Sequence, residues 1–259
     1  MSIELAGKSV SEIKKIVEAL TPDDFAPWTA ALAADPRKGV RALAAKLEKR
    51  RKEMDRLTDA LAEKKRVDNA LRARGFRLIC GLDEVGRGPL AGPVVAGAVI
   101  LPEDFSVLGI DDSKKLSHAK RQALAAAIKH EAIGYAVGEV SPAVIDEINI
   151  LEATKLAMRK AVESLDVEPD ALLIDALSIP SEVPVTSLVH GDALSLSIGA
   201  ASIIAKEYRD DLMRAYDAEF PGYGFASNMG YGSAAHIEAL RTKGPCPIHR
   251  RSFITHFVS

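Results

Sequence analysis

An α/β layer fold with a mixed sheet flanked by helices, preceded by a small all-helical amino-terminal domain, follows from three features of the 259-residue chain. After Gly75, short β-branched or apolar runs alternate with segments of helical periodicity. Before Gly75 there is no strand-like alternation. From Val40 to Arg74 neither Gly nor Pro interrupts the chain, which reads as one long helix. The expected domains are therefore residues 1–74, a helical extension, and residues 75–259, a larger body with a helical carboxy-terminal part.

In the extension, Ser9-Val10-Ser11-Glu12 has the form of a capping box opening a helix. A second short helix follows Thr21-Pro22-Asp23-Asp24, with Trp28 and Leu32 toward a small core, and Asp35-Pro36 ends it. The long helix carries Leu43, Leu47, Met54, Leu57, Leu61 and Leu71 at helical spacing, and Gly75 is its natural stop. Its charge runs Lys49-Arg50-Arg51-Lys52 and Lys64-Lys65-Arg66 read first as a solvated face and second as a phosphate-contacting patch.

In the body, strands are expected over Arg77–Asp83, Val94–Leu101, Ile133–Val140, Ala171–Asp175 and Val185–Val189. Helices are expected over Ser117–His130, Ser141–Leu165, Asp192–Phe220 and Ser233–Lys243.

Composition narrows the class. Hydrophobic residues make up 47% and charged residues 27% of the chain, which is ordinary for a folded soluble protein. The longest uncharged apolar stretch, Pro89 to Pro102, holds three prolines and two glycines, so no membrane span is expected. Residues 1–30 lack a signal-peptide pattern, and Cys80 and Cys246 are the only cysteines; both features point to a cytoplasmic protein. Net charge is -2, but residues 1–74 carry 17 basic and 12 acidic residues, leaving 17 basic and 24 acidic in 75–259. A basic arm precedes an acidic body.

The body's acids are placed where α/β sheets build their sites. Asp83 and Glu84 end one expected strand, Asp175 ends another in "ALLID", and Asp192 in "HGDAL" lies just past a third. Asp192 as a helix cap and Asp175 as a turn residue are the plainer alternatives. Neither explains an acid pair set directly before the glycine-rich turn Gly86-Arg87-Gly88. Clustered carboxylates repel unless cations sit among them, and oxygen-only ligands favour Mg²⁺ or Mn²⁺. Two such ions roughly 3.5–4 Å apart suit phosphodiester hydrolysis. Nucleotide binding without nuclease activity is the competing reading, because Gly86-x-Gly88 begins like a dinucleotide fingerprint, but its third glycine comes one place late at Gly92 and Pro89 interrupts it. A protein-docking module built on the long helix is the other alternative.

The segments "GLDEVGRGPLAGPVVAGAVIL", "DDSKKLS", "LLIDAL", "HGDAL", "GAASIIAKEYRD", "GYGSAAHIEAL" and "GPCPIHRRSF" occur in an order that resembles bacterial ribonuclease HII, over roughly residues 76–254. The resemblance implies a ribonuclease H-like fold. It implies endonucleolytic cleavage of RNA in RNA/DNA hybrids and of single ribonucleotides in duplex DNA, as in ribonucleotide excision repair, 5′ to the ribonucleotide and leaving 3′-hydroxyl and 5′-phosphate ends. The family's metal-holding acids match Asp83, Glu84, Asp175 and Asp192, with two divalent ions, Mg²⁺ or Mn²⁺, as cofactors. Its Gly-Arg-Gly element matches Gly86, Arg87 and Gly88, and its junction-recognising tyrosine matches Tyr231. The chain departs from the family at His190, where lysine is common, and at Glu207, where an apolar residue is common. Lys114, Lys115, Lys206, Arg209, Lys243 and Arg250 are expected phosphate contacts or structural pairs, Asp210 a helix residue pairing with a nearby base, and His249 an equally good structural histidine. Some relatives carry an extension of similar length, and a monomer acting without a membrane is expected.

Overall fold

A computed structural model of the protein describes residues 3–258. The chain forms two compact units, Met1–Ala62 and Glu63–Ser259. In the first, α1 (Val10–Ala19) is opened by the expected capping box: Ser9 Oγ accepts from the Glu12 amide while the Glu12 carboxylate accepts from the Ser9 amide. α2 (Phe25–Ala33) and the start of α3 (Lys38–Ala73) follow. Ile13, Val17, Phe25, Leu32, Val40, Leu43 and Leu47 form their shared core. Burying such side chains contributes about 1.5–3 kcal/mol each, enough to define a small core.

The division at Ala62 falls inside α3, ahead of Gly75, for a physical reason. The last turns of α3 are built into the second unit: Leu71 is buried with Ile79, Ala171, Leu173 and Ile198. Lys64, read from sequence as part of a solvated charge run, is buried as well.

The second unit holds a five-stranded sheet of order β3-β2-β1-β4-β5, made of β1 (Ile79–Val85), β2 (Val94–Ile100), β3 (Gly134–Val140), β4 (Ala171–Asp175) and β5 (Val185–Leu188). β1, β2 and β3 pair antiparallel, whereas β4 and β5 run parallel to β1, so the sheet is mixed as expected. Two-residue alternation sorts β1 onto two faces. Cys80 and Leu82 pack with Ala153, Ala157 and Met158 of α5 (Pro142–Glu163), and Ile79 with Ile198 of α7 (Leu196–Glu219). α4 (His118–Glu131) precedes β3, and α9 (Ala234–Lys243) lies near the carboxyl end. Among the described residues no helix is long and apolar enough to cross a membrane, and both cysteines are buried and unpaired.

Two expected helices are broken. Within α5, Asn149 takes a φ of 68° with an extended ψ of 165°, outside the helical regions, and its side chain caps the amides of Leu151 and Glu152 on the far side of the break. The segment expected as one helix over Asp192–Phe220 divides into α6 (Gly191–Leu194) and α7, because Ser195 is extended and its hydroxyl caps the Ile198 amide. A short helix, α8 (Phe225–Asn228), adds an element that the periodicity did not reveal.

α7 lies unusually close to the sheet. A Cβ on Gly81 would stand 2.1 Å from the Ser197 carbonyl carbon, and one on Gly97 would stand 2.4 Å from the Ala201 oxygen. Gly81→Ala therefore forces α7 off β1 and is expected to lower stability by about 3 kcal/mol. Denaturant unfolding measures this, and an unchanged midpoint would show that the helix has room to move.

Candidate active site

β1 and β4 are parallel neighbours in the register Leu82↔Ile174, so Asp83 and Asp175, one residue further along each strand, end side by side. Asp83 is 7% exposed. Burial first, then the Glu84 carboxylate and more weakly Asp175, push its carboxyl up to about 8, against the Ser202 hydroxyl and the Glu84 amide, which pull it down. Burial also raises Glu84, while Arg87, 3.2 Å away, and Lys114 draw it down. Glu84 Oε2 is buried without a hydrogen-bond partner.

Asp192 is tied to this group through the backbone. The Gly191 amide donates to Asp175 Oδ1 at 2.7 Å, and Asp192 is the next residue, in the first turn of α6. The structure thus brings Asp83, Glu84 and Asp175 into mutual electrostatic contact and sets Asp192 beside Asp175. Among the described residues, no three His, Cys, Asp or Glu side chains already stand close enough together to hold a metal ion. The set is all-oxygen, with a buried Asp83 carboxyl raised by its acidic neighbours and one buried Glu84 oxygen lacking a donor. This chemistry fits a hard divalent cation that keeps part of its water shell.

Beside the acids the chain turns through Gly86, Arg87 and Gly88, held from below by two arginines. Arg209 and Arg250 are both 0% exposed. Arg250 donates to the carbonyls of Gly86, Arg87 (2.8 Å) and Gly92 (2.9 Å), and Arg209 to those of Ala91 (3.1 Å), Pro93 (3.0 Å) and Met229 (2.9 Å). Gly86, at φ 90°, rests on Arg209: a Cβ there would lie 2.2 Å from its Nε. Of the two readings of Arg209 and Arg250, phosphate contact or structural partner, the structure favours the second: their guanidinium groups are spent inside the protein on backbone oxygens.

Tyr231 is 44% exposed and lies against Gly88. Its carbonyl accepts from His236 Nδ1 (2.8 Å), whose Nε2 meets His249 Nε2 (2.9 Å); the Cys246 amide donates to His249 Nδ1 (3.0 Å). The arrangement that satisfies every ring nitrogen leaves both histidines neutral with one proton each. Burial and the neighbouring His236 hold His249 down to about 4, so its role is structural.

The remaining basic residues divide by partner. Lys114 lies in the loop beside Glu84, and that loop is pinned by Ser113 Oγ, 3.0 Å from Ser202 Oγ. Lys206 is bound to Asp210 at 2.7 Å, and Arg121 holds both Asp210 and Glu207; the pairing expected of Asp210 and the polar residue at Glu207 are thereby accounted for. Lys243 donates to the Pro221 carbonyl. His190 takes the left-handed φ of 59° that turns the chain into α6. Sequence reasoning missed Ser202, which touches Asp83 from α7. Its signal is faint, a serine within the small-residue run "GAASIIA".

Comparisons with known proteins agree with this geometry. A family model described as ribonuclease HII matches residues 80–256, and one described as the ribonuclease HII N-terminal domain matches residues 9–72. Ribonuclease HII of Listeria monocytogenes serotype 4a is 50% identical over 245 residues, covering 95% of this chain and 94% of that protein. Among solved structures, ribonuclease H2 from Pyrococcus horikoshii aligns with a TM-score of 0.56 at 28% identity, over 67% of this chain and 92% of that one. Bst-RNase HIII in complex with Mn²⁺ aligns with a TM-score of 0.53 at 25% identity, over 68% of this chain and 66% of that one. The first model spans the acids, the Gly-Arg-Gly turn and Tyr231, the second spans the helices before them, and the Listeria protein matches across both: the chain belongs to the ribonuclease HII family.

Proposed function

We propose that the protein is an endonuclease that cuts the RNA strand of RNA/DNA hybrids and cuts duplex DNA at single embedded ribonucleotides, on the 5′ side, leaving 3′-hydroxyl and 5′-phosphate ends. The observation that carries this reading is the junction of two differently built surfaces. Repelling carboxylates at the ends of β1 and β4 adjoin a glycine turn that exposes backbone, with Tyr231 lying against it.

In this reading Asp83, Glu84, Asp175 and Asp192 hold two divalent ions, Mg²⁺ or Mn²⁺. When bound, the ions lower the pKa of the attacking water and stabilise the departing oxygen. The chain's own residues do the selecting. The exposed Gly88 presents backbone without a side chain, so a ribose edge can come close, whereas Gly86 is bare because Arg209 fills the space its side chain would need; the 2′-hydroxyl is the group that separates RNA from DNA. Tyr231 offers an exposed ring for a sugar or base at the junction, a contact that contributes on the order of 1–3 kcal/mol. Arg87 is drawn toward Glu84, which orients its guanidinium at the edge of the acids, and Lys114 adds charge for a phosphate. Residues 1–74 act as an aid to duplex binding through their basic excess, since phosphate affinity scales with the cations supplied.

The reading is tested with a DNA duplex carrying one ribonucleotide. Mapping of the product ends is expected to find a single cut 5′ to that ribonucleotide, with all-DNA duplex nearly untouched. Equal cutting of both duplexes contradicts it.

Asp83→Asn, Glu84→Gln, Asp175→Asn and Asp192→Asn are each expected to lower turnover by about 100-fold or more while substrate binding largely survives. Near-normal turnover in two of the four at saturating Mg²⁺ would remove the assignment.

A third expectation concerns protons. With its carboxyl raised to about 8, Asp83 is mostly protonated at pH 7 without metal, whereas a divalent cation needs its anion. Mg²⁺ or Mn²⁺ binding at pH 7 therefore releases close to one proton, and binding at pH 9 releases much less. Calorimetry in two buffers of different ionisation enthalpy reads the difference directly; equal apparent enthalpies at pH 7 would mean that Asp83 is already ionised.

A further inference from the structure

α6 cannot hold itself. It has four residues, His190 enters it in a left-handed conformation and Ser195 leaves it extended. A single turn of helix is unfavourable in isolation, so the position of Asp192 depends on what grips the segment from outside. On the entry side that grip is the Gly191 amide donating to Asp175. On the exit side it comes from α3.

Lys64 and Asp68 are four residues apart on α3, a spacing that would ordinarily pair them with each other on an exposed helix. Here they point to different tasks. The buried Lys64 Nζ donates to the carbonyl of Asp192 at 2.7 Å and to that of Ala193 at 3.0 Å. Asp68, 2% exposed, accepts from the Ser195 hydroxyl (2.9 Å) and from the amides of Leu196 (3.2 Å) and Ser197 (3.2 Å). One side chain thus fixes the oxygens at the end of α6, and the other caps the amides that open α7. Together they fix the chain on the exit side of Asp192.

We propose that Lys64 and Asp68 are positioning residues for Asp192, so that the end of the long amino-terminal helix is part of what shapes the metal-holding site. The inference rests on the reading of Asp192 given above. It also assigns residues 63–72 a part in the chemistry, beyond duplex binding, although the family model that matches residues 9–72 describes them as belonging to the amino-terminal domain.

Positioning can be told from a simple field effect by sign. Lys64→Met removes a cation near the acids and Asp68→Asn removes an anion. If only charge mattered, the first variant would tighten divalent binding and the second would weaken it. If both residues hold Asp192 in place, both weaken it. The experiment uses the full-length chain, with Mn²⁺ affinity measured from the free-ion electron paramagnetic resonance signal in the absence of nucleic acid. Amide hydrogen exchange at Leu196 and Ser197 and cleavage of an RNA/DNA hybrid over a range of Mn²⁺ are measured alongside.

The expected result is an about 10-fold weaker Mn²⁺ affinity in both variants. Exchange at the two amides should be faster in Asp68→Asn, and cleavage should recover at high Mn²⁺ with an unchanged KM for the hybrid. Opposite shifts in the two variants, or unchanged affinity in both, overturn the inference. Asp192→Asn run in parallel separates the two levels. If it loses Mn²⁺ affinity while the α3 variants do not, the site reading stands and the positioning role falls; if it binds Mn²⁺ and cleaves like the unaltered protein, the reading of Asp192 itself falls. Should Asp68→Asn fail to fold, the sign of the Lys64→Met shift still decides, because tightening contradicts positioning and weakening supports it.

Discussion

The packing of α7 directly on β1 and β2 is the constraint from which the rest of the second unit follows. At Gly81 and Gly97 the helix backbone sits where any side chain would stand, and in a densely packed interior such contacts leave no slack. The contact sets the start of α7, and with it Ser195 and the exit from α6. It sets Ser202 against Asp83 and Ser113. Two turns later it sets Arg209 beneath Gly86, and Glu207 and Asp210 around Arg121. A single helix thus governs both the carboxylates and the turn beside them.

Arg209 and Arg250 show how a buried charge can build a loop. Removing a guanidinium from water costs several kcal/mol unless its donors are met. Here they are met by backbone oxygens, three for each arginine, drawn largely from residues 86–93. A loop rich in glycine has high conformational entropy, and each of these hydrogen bonds removes some of it. The loop keeps bare backbone at its surface at Gly88 and rigidity from below.

The acids follow the opposite logic. Asp83 is buried and Glu84 partly so, both near Asp175, and burial first, then the neighbouring carboxylates, raises both carboxyls, although Arg87 draws Glu84 back down. A fold held only by its own stability gains nothing from such a group. Such strain fits the proposed role of the cluster in holding cations.

Much of this was legible in the sequence, because it depends on local periodicity and turn chemistry. Alternating apolar runs marked the strands, Ser9 and Glu12 marked the opening of α1, and the acids at the ends of "GLDE" and "ALLID" marked the end of the sheet where a site would form. The break at Ser195 and the burial of Lys64 were not legible. Serine and lysine suit a helix surface, and only the partner 128 residues away, the Asp192 carbonyl, draws the Lys64 ammonium inward. The fates of Arg209 and Arg250 were hidden for the same reason, since a basic residue reads as a surface charge until the fold supplies carbonyls to receive it. The sequence by itself determined which residues could bear the chemistry, through their types and their places on strands and turns. Tertiary structure decided which of the charged ones face outward and which are consumed in holding the others, because burial and hydrogen-bond partners are set by contacts between segments far apart in the chain.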